Sequence, residues 1–122
     1  MRYDRIHIRD LACRCIVGVN PEERTRKQEI LINVTLEANL SQSCESDRIE
    51  HTVDYKELKQ RILLAVEESQ FYLIERLAES VAAVCLATPQ VEAATVSIDK
   101  PGALRFARSV AVEIRRERSG HA

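Results

Sequence analysis

The sequence has no long apolar run and no marked excess of charge of either sign. No apolar stretch approaches the roughly 20 residues that a membrane-spanning helix needs, and residues 1–4 do not begin a signal peptide. With 18 basic and 19 acidic side chains, the 122-residue chain carries a net charge of −1, so it offers no basic surface to nucleic acid or to an anionic membrane. We expect one cytoplasmic domain, over residues 1–118 and followed by a flexible tail at 119–122, that binds neither.

The spacings of a metal site are also missing. The potential soft ligands are four cysteines and three histidines: Cys13, Cys15, Cys44, Cys85, His7, His51 and His121. They form no Cys-x-x-Cys or His-x-x-x-His pair, so the sequence predicts no metal site, and it contains no cofactor-binding motif. Cys13 and Cys15 lie two apart in an alternating pattern and are expected to pack as small apolar residues. Because we expect no export signal, we also expect the thiols to be reduced.

What the sequence does contain is a clear succession of strand and helix patterns. Alternation of apolar and polar residues predicts strands at 3–17, 29–40, 91–99 and 109–117, with a bulge at Asp10. Apolar residues at helical spacing predict one helix from Asp54, which forms a capping box with Glu57, and a second from about Leu73 that ends by Pro89. Residues 41–51 are predicted to be a polar loop. The order β-β-α-α-β-β predicts an α+β domain with an antiparallel sheet and both helices on one face.

The face of this sheet that the helices leave uncovered is polar. It would present Asn33, Thr35, Glu37, Asn39, Glu113, Arg115 and Glu117. A polar face and open strand edges would both be satisfied if several subunits closed their sheets into one barrel around water. We therefore predict a ring-shaped homo-oligomer, and a monomeric α+β sandwich with one solvated face is the alternative.

Four short stretches carry side chains suited to chemistry. Lys100 follows a strand and precedes a stiff Pro-Gly corner, which favours a fixed amine. Tyr55 lies at a loop–helix corner, and the acidic pair Glu22 and Glu23 lies in the first connection. Glu75 lies near a helix start, where a carboxylate beside free backbone amides could hold an N–H/N–H₂ ring edge by two charge-assisted hydrogen bonds. Each signal is weak alone, because surface charge or packing explains it equally well.

Together these stretches resemble the dihydroneopterin aldolase family. The resemblance runs through GVNPEERTRKQ and EILINVTLE, then TVDYKEL, FYLIERLAE, IDKPGALRF and VAVEIRRER, in that order over about residues 5–118. It implies the tunnelling fold, whose subunits join into a barrel, here expected as a tetrameric ring that pairs into an octamer. It also implies a small pterin substrate, no cofactor, and active sites between subunits. Patterning alone led to the same order of elements and to a similar ring.

The resemblance assigns roles to individual residues. Lys100, in IDKPG, would be the general acid–base, and Tyr55, in VDYKE, would help to reprotonate the intermediate. Glu75, in LIERLAE, would anchor the pterin ring together with the backbone at Ile74. These four residues are thus expected to bind the substrate and to move its protons.

The first connection would supply a further site residue. Glu23, which lies five residues before Gln28, would orient the substrate's hydroxyl groups or a water molecule, and Glu22 is the alternative register. Because the family builds its site between subunits, Tyr55 and Glu23 are expected to come from a different chain than the anchoring glutamate and the lysine.

The implied reaction is a retro-aldol cleavage of the C1′–C2′ bond of 7,8-dihydroneopterin, which gives 6-hydroxymethyl-7,8-dihydropterin and glycolaldehyde in folate synthesis. The ring N5=C6 imine is the electron sink, so proton transfer and positioning suffice. Residues 103–107, after the lysine, look closer to a sister branch, dihydroneopterin triphosphate 2′-epimerase, which uses the same cleavage and then re-adds glycolaldehyde to the other face. A triphosphate would favour cations at the mouth, which could be Arg24, Arg26, Lys27, Arg105 and Arg108.

Two other classes of function stay open. A zinc-dependent pterin synthase shares the tunnelling fold, but it needs a histidine triad, and the spacing of the three histidines does not suit one. A non-catalytic oligomeric binding module is the other alternative, and it would apply if the predicted site residues did not converge.

Overall fold

The computed structural model describes residues 3–118, which form four strands of one antiparallel sheet in chain order. The strands are β1 (Asp4–Cys15), β2 (Gln28–Ala38), β3 (Ala93–Pro101) and β4 (Ser109–Glu117). The helices are α1 (Ser41–Ser46), α2 (Tyr55–Glu67) and α3 (Ile74–Leu86), and single 3₁₀ turns lie at Pro21–Arg24 and Ile49–His51. The predicted sheet and element order are confirmed, and the predicted tail at 119–122 lies outside the described residues. Across residues 3–118, every helix is too short or too polar to span a bilayer.

The helices α2 and α3 cover one face of the sheet. Paired positions of neighbouring strands place their apolar side chains on this face. Ile32 of β2 pairs with Ile98 of β3, and both are fully buried. The helices contribute buried residues at helical spacing: Leu58, Ile62, Val66, Leu77, Val81 and Cys85. Burial of each large aliphatic side chain stabilises the fold by roughly 1.5–3 kcal/mol. Cys13 and Cys15 join this core, as predicted, and burial raises the pKa of the Cys13 thiol to about 12.

The strand β1 keeps its apolar side chains on the core because a bulge at Asp10 changes the phase of the strand. The register against β2 shifts between Ile8 and Leu11, and Asp10 has a φ of 53°. Asn33 fixes this conformation, since its Oδ1 accepts from the Asp10 backbone N–H at 2.9 Å and its amide donates to the Asp10 carboxylate at 3.3 Å. In a regular strand without the bulge, Ile8 and Cys13 would point to opposite faces, because an odd number of positions separates them. The predicted bulge is therefore confirmed.

The prediction of a loop for residues 41–51 is wrong, because this segment forms α1 and a 3₁₀ turn. Neither piece has a buried residue. Local contacts hold α1: the Ser43 hydroxyl donates to the Leu40 carbonyl at 3.0 Å, and Asp47 ends the helix with a φ of 60°. A helix without an apolar face leaves no periodic signal, so hydrophobic pattern could not reveal it.

The sheet face away from α2 and α3 is polar, as predicted. Arg115 Nε lies 2.9 Å from Glu37 Oε2, in an ion pair that crosses from β4 to β2. His7 and Thr35 form a hydrogen bond of 2.9 Å between β1 and β2. In the part of the chain that the structure describes, β1 and β4 are the edges of the sheet, so their outer backbone groups have no strand partner.

The strand β3 runs two residues farther than predicted, so Lys100 is a strand residue, paired with Val110. The pairing continues to Pro101 because a proline at a strand end need not donate to the ladder. Val96, Ile98 and Lys100 alternate onto the side of the sheet that the helices cover. An amine therefore lies where the strand pattern otherwise places apolar residues.

We predict that Asp54→Ala lowers the free energy of unfolding by about 1 kcal/mol. Asp54 is the N-cap of α2, and its Oδ1 accepts from the Glu57 backbone N–H at 3.1 Å, so alanine would leave that N–H unpaired. Urea unfolding followed by circular dichroism measures the change. Asp54→Asn retains an acceptor oxygen and is the control, and equal losses in the two variants would contradict the role of the cap.

Candidate active site

Lys100 and Glu23 form an ion pair at one end of the sheet. Lys100 Nζ lies 2.6 Å from Glu23 Oε2, and the two side chains are only 12% and 18% exposed. Lys100 lies near the end of β3, whereas Glu23 comes from the 3₁₀ turn between β1 and β2. The pair therefore joins the first connection of the chain to the third strand, and Lys100 is not a solvated surface charge.

The turn before β2 holds the Glu23 carboxylate from several sides. Its Oε1 accepts from the Asn20 backbone N–H at 3.1 Å, and its Oε2 accepts from Gln28 Nε2 at 3.4 Å as well as from Lys100. The Glu23 backbone N–H donates to the Asn20 carbonyl at 2.9 Å. The hydrogen bond from Lys100 is the largest cause that holds the pKa of the Glu23 carboxyl below its ordinary value. Glu23 is thus a fixed carboxylate beside a fixed amine.

Gly18 leaves the space that the Glu23 carboxylate occupies. Its φ is 142°, in a region that other residues rarely adopt, and a Cβ at this position would lie 2.3 Å from Glu23 Cδ. Sequence patterns do not mark Gly18 as a site residue. The available signal was its rarity, because the sequence contains three glycines and this one begins the first connection.

Ile74 and Glu75 lie in the first turn of α3 and form another wall of the same site. Leu73 precedes the helix in an extended conformation and makes no side-chain hydrogen bond to it. The first backbone N–H groups of α3 therefore have no side-chain cap and can serve a ligand. Glu75 is exposed in the single chain and borders the pocket beside these donors, so its role as the ring-binding carboxylate stays a prediction.

These walls border a pocket of about 340 Å³, which is in the range of small-molecule sites. Its charged groups are Glu23, Glu75 and Lys100, and its apolar walls include Ile74 and Val110. A flat ring can lie between apolar walls while a carboxylate holds its polar edge. The amine–carboxylate pair can then exchange protons with a group on the ring.

The pocket brings together all the predicted site residues except Tyr55. Tyr55 begins α2, is 57% exposed, and does not border the pocket of its own chain. The expectation that Glu23 comes from a different chain than Lys100 and Glu75 is wrong, because all three line one pocket of a single chain. The sequence motif identifies the glutamate but does not show toward which segment its turn folds. Glu23, rather than the exposed Glu22, borders the pocket.

The basic residues predicted to serve the mouth do not line this pocket. The Arg24 guanidinium donates to backbone carbonyls and lies over the ring of Tyr72. The other four are exposed: Arg26, Lys27, Arg105 and Arg108. Among the described residues that line the pocket, Lys100 is the only basic one.

We predict that Gly18→Ala breaks the Glu23–Lys100 pair, because the new Cβ would overlap the Glu23 carboxylate. Gly102→Ala is the matched control: its φ is also positive, at 73°, but no atom lies within 4 Å of the added Cβ. The control should lose about 1 kcal/mol from backbone strain alone. Urea unfolding should show a clearly larger loss for Gly18→Ala, and equal losses would contradict this packing.

We predict that Glu23 makes the stability of the protein depend on pH in the acid range. Because the pKa of its carboxyl is lower in the folded state, its contribution is complete above the ordinary value of 4.5 and is lost as pH falls through the folded pKa. The free energy of unfolding should therefore fall more steeply below pH 4.5 for the wild type than for Glu23→Gln. Glu22→Gln controls for the loss of one charge, and parallel curves for wild type and Glu23→Gln would refute the prediction.

Comparison with known proteins gives consistent matches along the chain. A family model described as dihydroneopterin aldolase matches residues 6–115. The chain is similar to dihydroneopterin triphosphate 2′-epimerase of Pseudomonas aeruginosa, with 37% identity over 90% of this chain and 89% of that protein. It is also similar to the folic acid synthesis protein of Dictyostelium discoideum, with 40% identity over 93% of this chain, which spans 17% of that longer protein.

The fold is likewise similar to that of a solved enzyme. The structure of Escherichia coli dihydroneopterin aldolase in complex with neopterin matches with a TM-score of 0.88 and 28% identity, over 93% of this chain and 98% of that chain. The expected fold of the single subunit is thereby confirmed. The family match extends from β1 into β4 and so includes every segment that lines the pocket. The chain belongs to the dihydroneopterin aldolase family.

Proposed function

We propose that this chain catalyses the retro-aldol cleavage of 7,8-dihydroneopterin into 6-hydroxymethyl-7,8-dihydropterin and glycolaldehyde, a step of folate synthesis. The observation that carries the proposal is the Lys100–Glu23 pair, 2.6 Å apart and mostly buried, in a pocket that Glu75 also lines. One part of the pocket can hold a ring and another can move protons. The reaction is proposed to run in the cytoplasm, as the sequence predicts.

Glu75 and Ile74 are the proposed ring-binding residues. The carboxylate of Glu75 can accept two hydrogen bonds from an amidine-like edge, N–H beside N–H₂, which is a strong charge-assisted arrangement. The backbone at Ile74, in the uncapped first turn of α3, offers a donor to a ring oxygen. The apolar side chains of the pocket would cover the faces of the ring.

In the proposed reaction, the neutral amine of Lys100, formed when its ammonium proton passes to the paired Glu23 carboxylate or to solvent, accepts the proton of the 2′-hydroxyl through a water molecule. The C1′–C2′ bond then breaks, its electron pair moves into the ring N5=C6 imine, and C2′ leaves as the aldehyde carbon of glycolaldehyde. The enamine is reprotonated at C1′, with the help of Tyr55, while Glu23 orients the hydroxyls or the water. Because the substrate supplies its own electron sink, the proposal requires no cofactor, and acid–base catalysis contributes about 10²–10⁴-fold.

We propose that Tyr55 reaches this pocket from a neighbouring subunit of a tetrameric ring, and that two rings form an octamer. Tyr55 is 57% exposed in its own chain and does not border its own pocket. The polar sheet face and the open edges of β1 and β4 support closure of the sheets into a barrel. The active sites would then lie between subunits, with Tyr55 as the residue that the neighbour contributes.

Epimerisation of the triphosphate is the second candidate, because the chain is 37% identical to an epimerase. The charges of the pocket favour the unphosphorylated substrate. Its lining has Glu23 and Glu75 against one amine, Lys100, which is already paired. A triphosphate would therefore need basic groups from outside this lining.

The zinc-dependent alternative has no support in the described residues. His7 hydrogen-bonds Thr35, and His51 hydrogen-bonds Ser46, so the two imidazoles belong to separate parts of the fold. His121 lies outside the described residues. A non-catalytic binding module is less well supported, because the amine, both carboxylates and the start of α3 do converge on one pocket.

Incubation with 7,8-dihydroneopterin, and separately with its triphosphate, tests the proposal. Release of 6-hydroxymethyl-7,8-dihydropterin and glycolaldehyde from the first is the expected result. Isomerisation of the second without net cleavage would instead identify an epimerase, and no turnover of either would overturn both. Metal-free buffer containing a chelator should not change the rate.

We predict that Lys100→Met and Glu75→Gln separate chemistry from binding. Lys100→Met should reduce kcat by about 10²–10⁴-fold and leave binding of the product pterin largely intact, because the ring contacts remain. Glu75→Gln should chiefly weaken pterin binding, since it exchanges a charged acceptor for a neutral amide. Lys59→Met, at an exposed position of α2, is the control. Full turnover by Lys100→Met would disprove its assigned role.

A further inference from the structure

Arg24 links two walls of the pocket through the chain's own backbone. Its Nη1 donates to the carbonyl oxygens of Gly18 at 3.0 Å and of Phe71 at 2.9 Å, and its Nη2 donates to the carbonyl of Gln70. The guanidinium carbon lies 3.9 Å from the ring centre of Tyr72. One partly buried side chain therefore joins the turn that follows β1 to the segment that precedes α3.

The two segments that Arg24 joins carry different functional groups. The turn after β1 carries Glu23, and the segment before α3 leads directly into Glu75. Residues 68–73, between α2 and α3, have no regular secondary structure, so individual contacts with other segments fix where this segment lies. Gly18 and Phe71 are also joined by a backbone hydrogen bond, which is long at 3.4 Å. Arg24 reinforces the same junction with charged donors.

We propose that Arg24 is a positioning residue of this active site, which sets the distance between the Glu23–Lys100 pair and Glu75 by fastening the two segments together. The kinetic part of this inference rests on the proposed aldolase function. The linkage itself can be tested on the protein without substrate. Arg24 acts through backbone carbonyls and through Tyr72, so it is not assigned any step of the chemistry.

The contacts require an arginine rather than any cation. A guanidinium is planar, presents several N–H donors in a fixed fork, and stacks on an aromatic face. Arg24 uses these properties at once, with three carbonyl oxygens in front of its donors and the Tyr72 ring against its face. A lysine would supply a single flexible ammonium group, which cannot reproduce the fork and the stacking together. Arg24→Lys therefore separates the geometry of the link from its charge.

The kinetic test compares Arg24→Met and Arg24→Lys with the wild type on 7,8-dihydroneopterin. Both should lower kcat/KM by about 10- to 100-fold, because misplacement of catalytic groups by about 1 Å costs this much. The loss should fall mainly on kcat, while binding of 6-hydroxymethyl-7,8-dihydropterin should change little, since Glu75 stays on its own helix. Arg48→Met, which removes an exposed, ion-paired arginine that does not line the pocket, is the matched control.

The substrate-free test uses the pH-dependent stability that Glu23 contributes. The charged groups that face its carboxylate are Lys100 from β3 and, across the pocket, Glu75 from α3. If Arg24 holds the turn in place, its loss should loosen the Glu23–Lys100 pair. Glu23→Gln changes how the free energy of unfolding depends on acid pH. This change should be smaller when Glu23→Gln is combined with Arg24→Met, and it should remain when Glu23→Gln is combined with Arg48→Met.

The outcomes separate this inference from the proposed function. Wild-type protein that does not turn over dihydroneopterin would overturn the proposed function. The role of Arg24 would still be decided by the effect of Glu23→Gln on acid stability, measured with and without Arg24→Met. Full activity in Arg24→Lys would show that charge alone suffices and would overturn the positioning role. The positioning role would also be overturned if, in a folded Arg24→Met protein, the effect of Glu23→Gln on acid stability were the same as in the wild type. If Arg24→Met does not fold, as judged by circular dichroism, Arg24→Lys decides both tests.

Discussion

The ion pair between Lys100 and Glu23 is the contact on which the site depends. The two residues are 77 positions apart, and their contact holds the first connection of the chain against the end of β3. A mostly buried pair is a weak argument for stability, because desolvation offsets much of the attraction between the charges. Its consequence here is positional, since an amine and a carboxylate are held 2.6 Å apart beside the start of α3.

The position of Lys100 follows from the same rule that builds the core. Val96 and Ile98 point toward the helices, and the alternation of β3 brings the next inward position to Lys100. Beyond Ile98 the helices no longer bury that side of the strand completely, so a pocket remains where further core would lie. A charged residue at an inward position breaks the local pattern, and such breaks are typical of functional sites. Core and site are thus successive parts of one strand.

Sequence predicted those features that depend on neighbouring residues. A few adjacent residues are enough to indicate the bulge at Asp10 and the cap at Asp54. The alternation of buried and less buried residues in β2 can be recognised from that strand alone. The helix α1 was missed because it has no apolar face, whereas the features missed at the site depend on contacts between distant segments. Gly18 matters because the Glu23 carboxylate lies against it, and Arg24 matters because it reaches carbonyls 46 and 47 residues away. A sequence motif can identify such residues as candidates, but the fold decides what each one touches.

Assembly of the subunits into the proposed ring would complete both the sheet and the active site. A single chain provides a ring-binding carboxylate and an amine–carboxylate pair, yet the proposed proton donor, Tyr55, lies away from them at the start of α2. The chain also has a polar sheet face and two sheet edges without partners among the described residues. Closure of neighbouring sheets would cover the edges and would bring new surface to each pocket. An isolated chain has no Tyr55 beside its pocket, so if it bound a pterin it should still lack efficient reprotonation. Catalysis should therefore depend on the assembly of subunits as well as on the fold of each one.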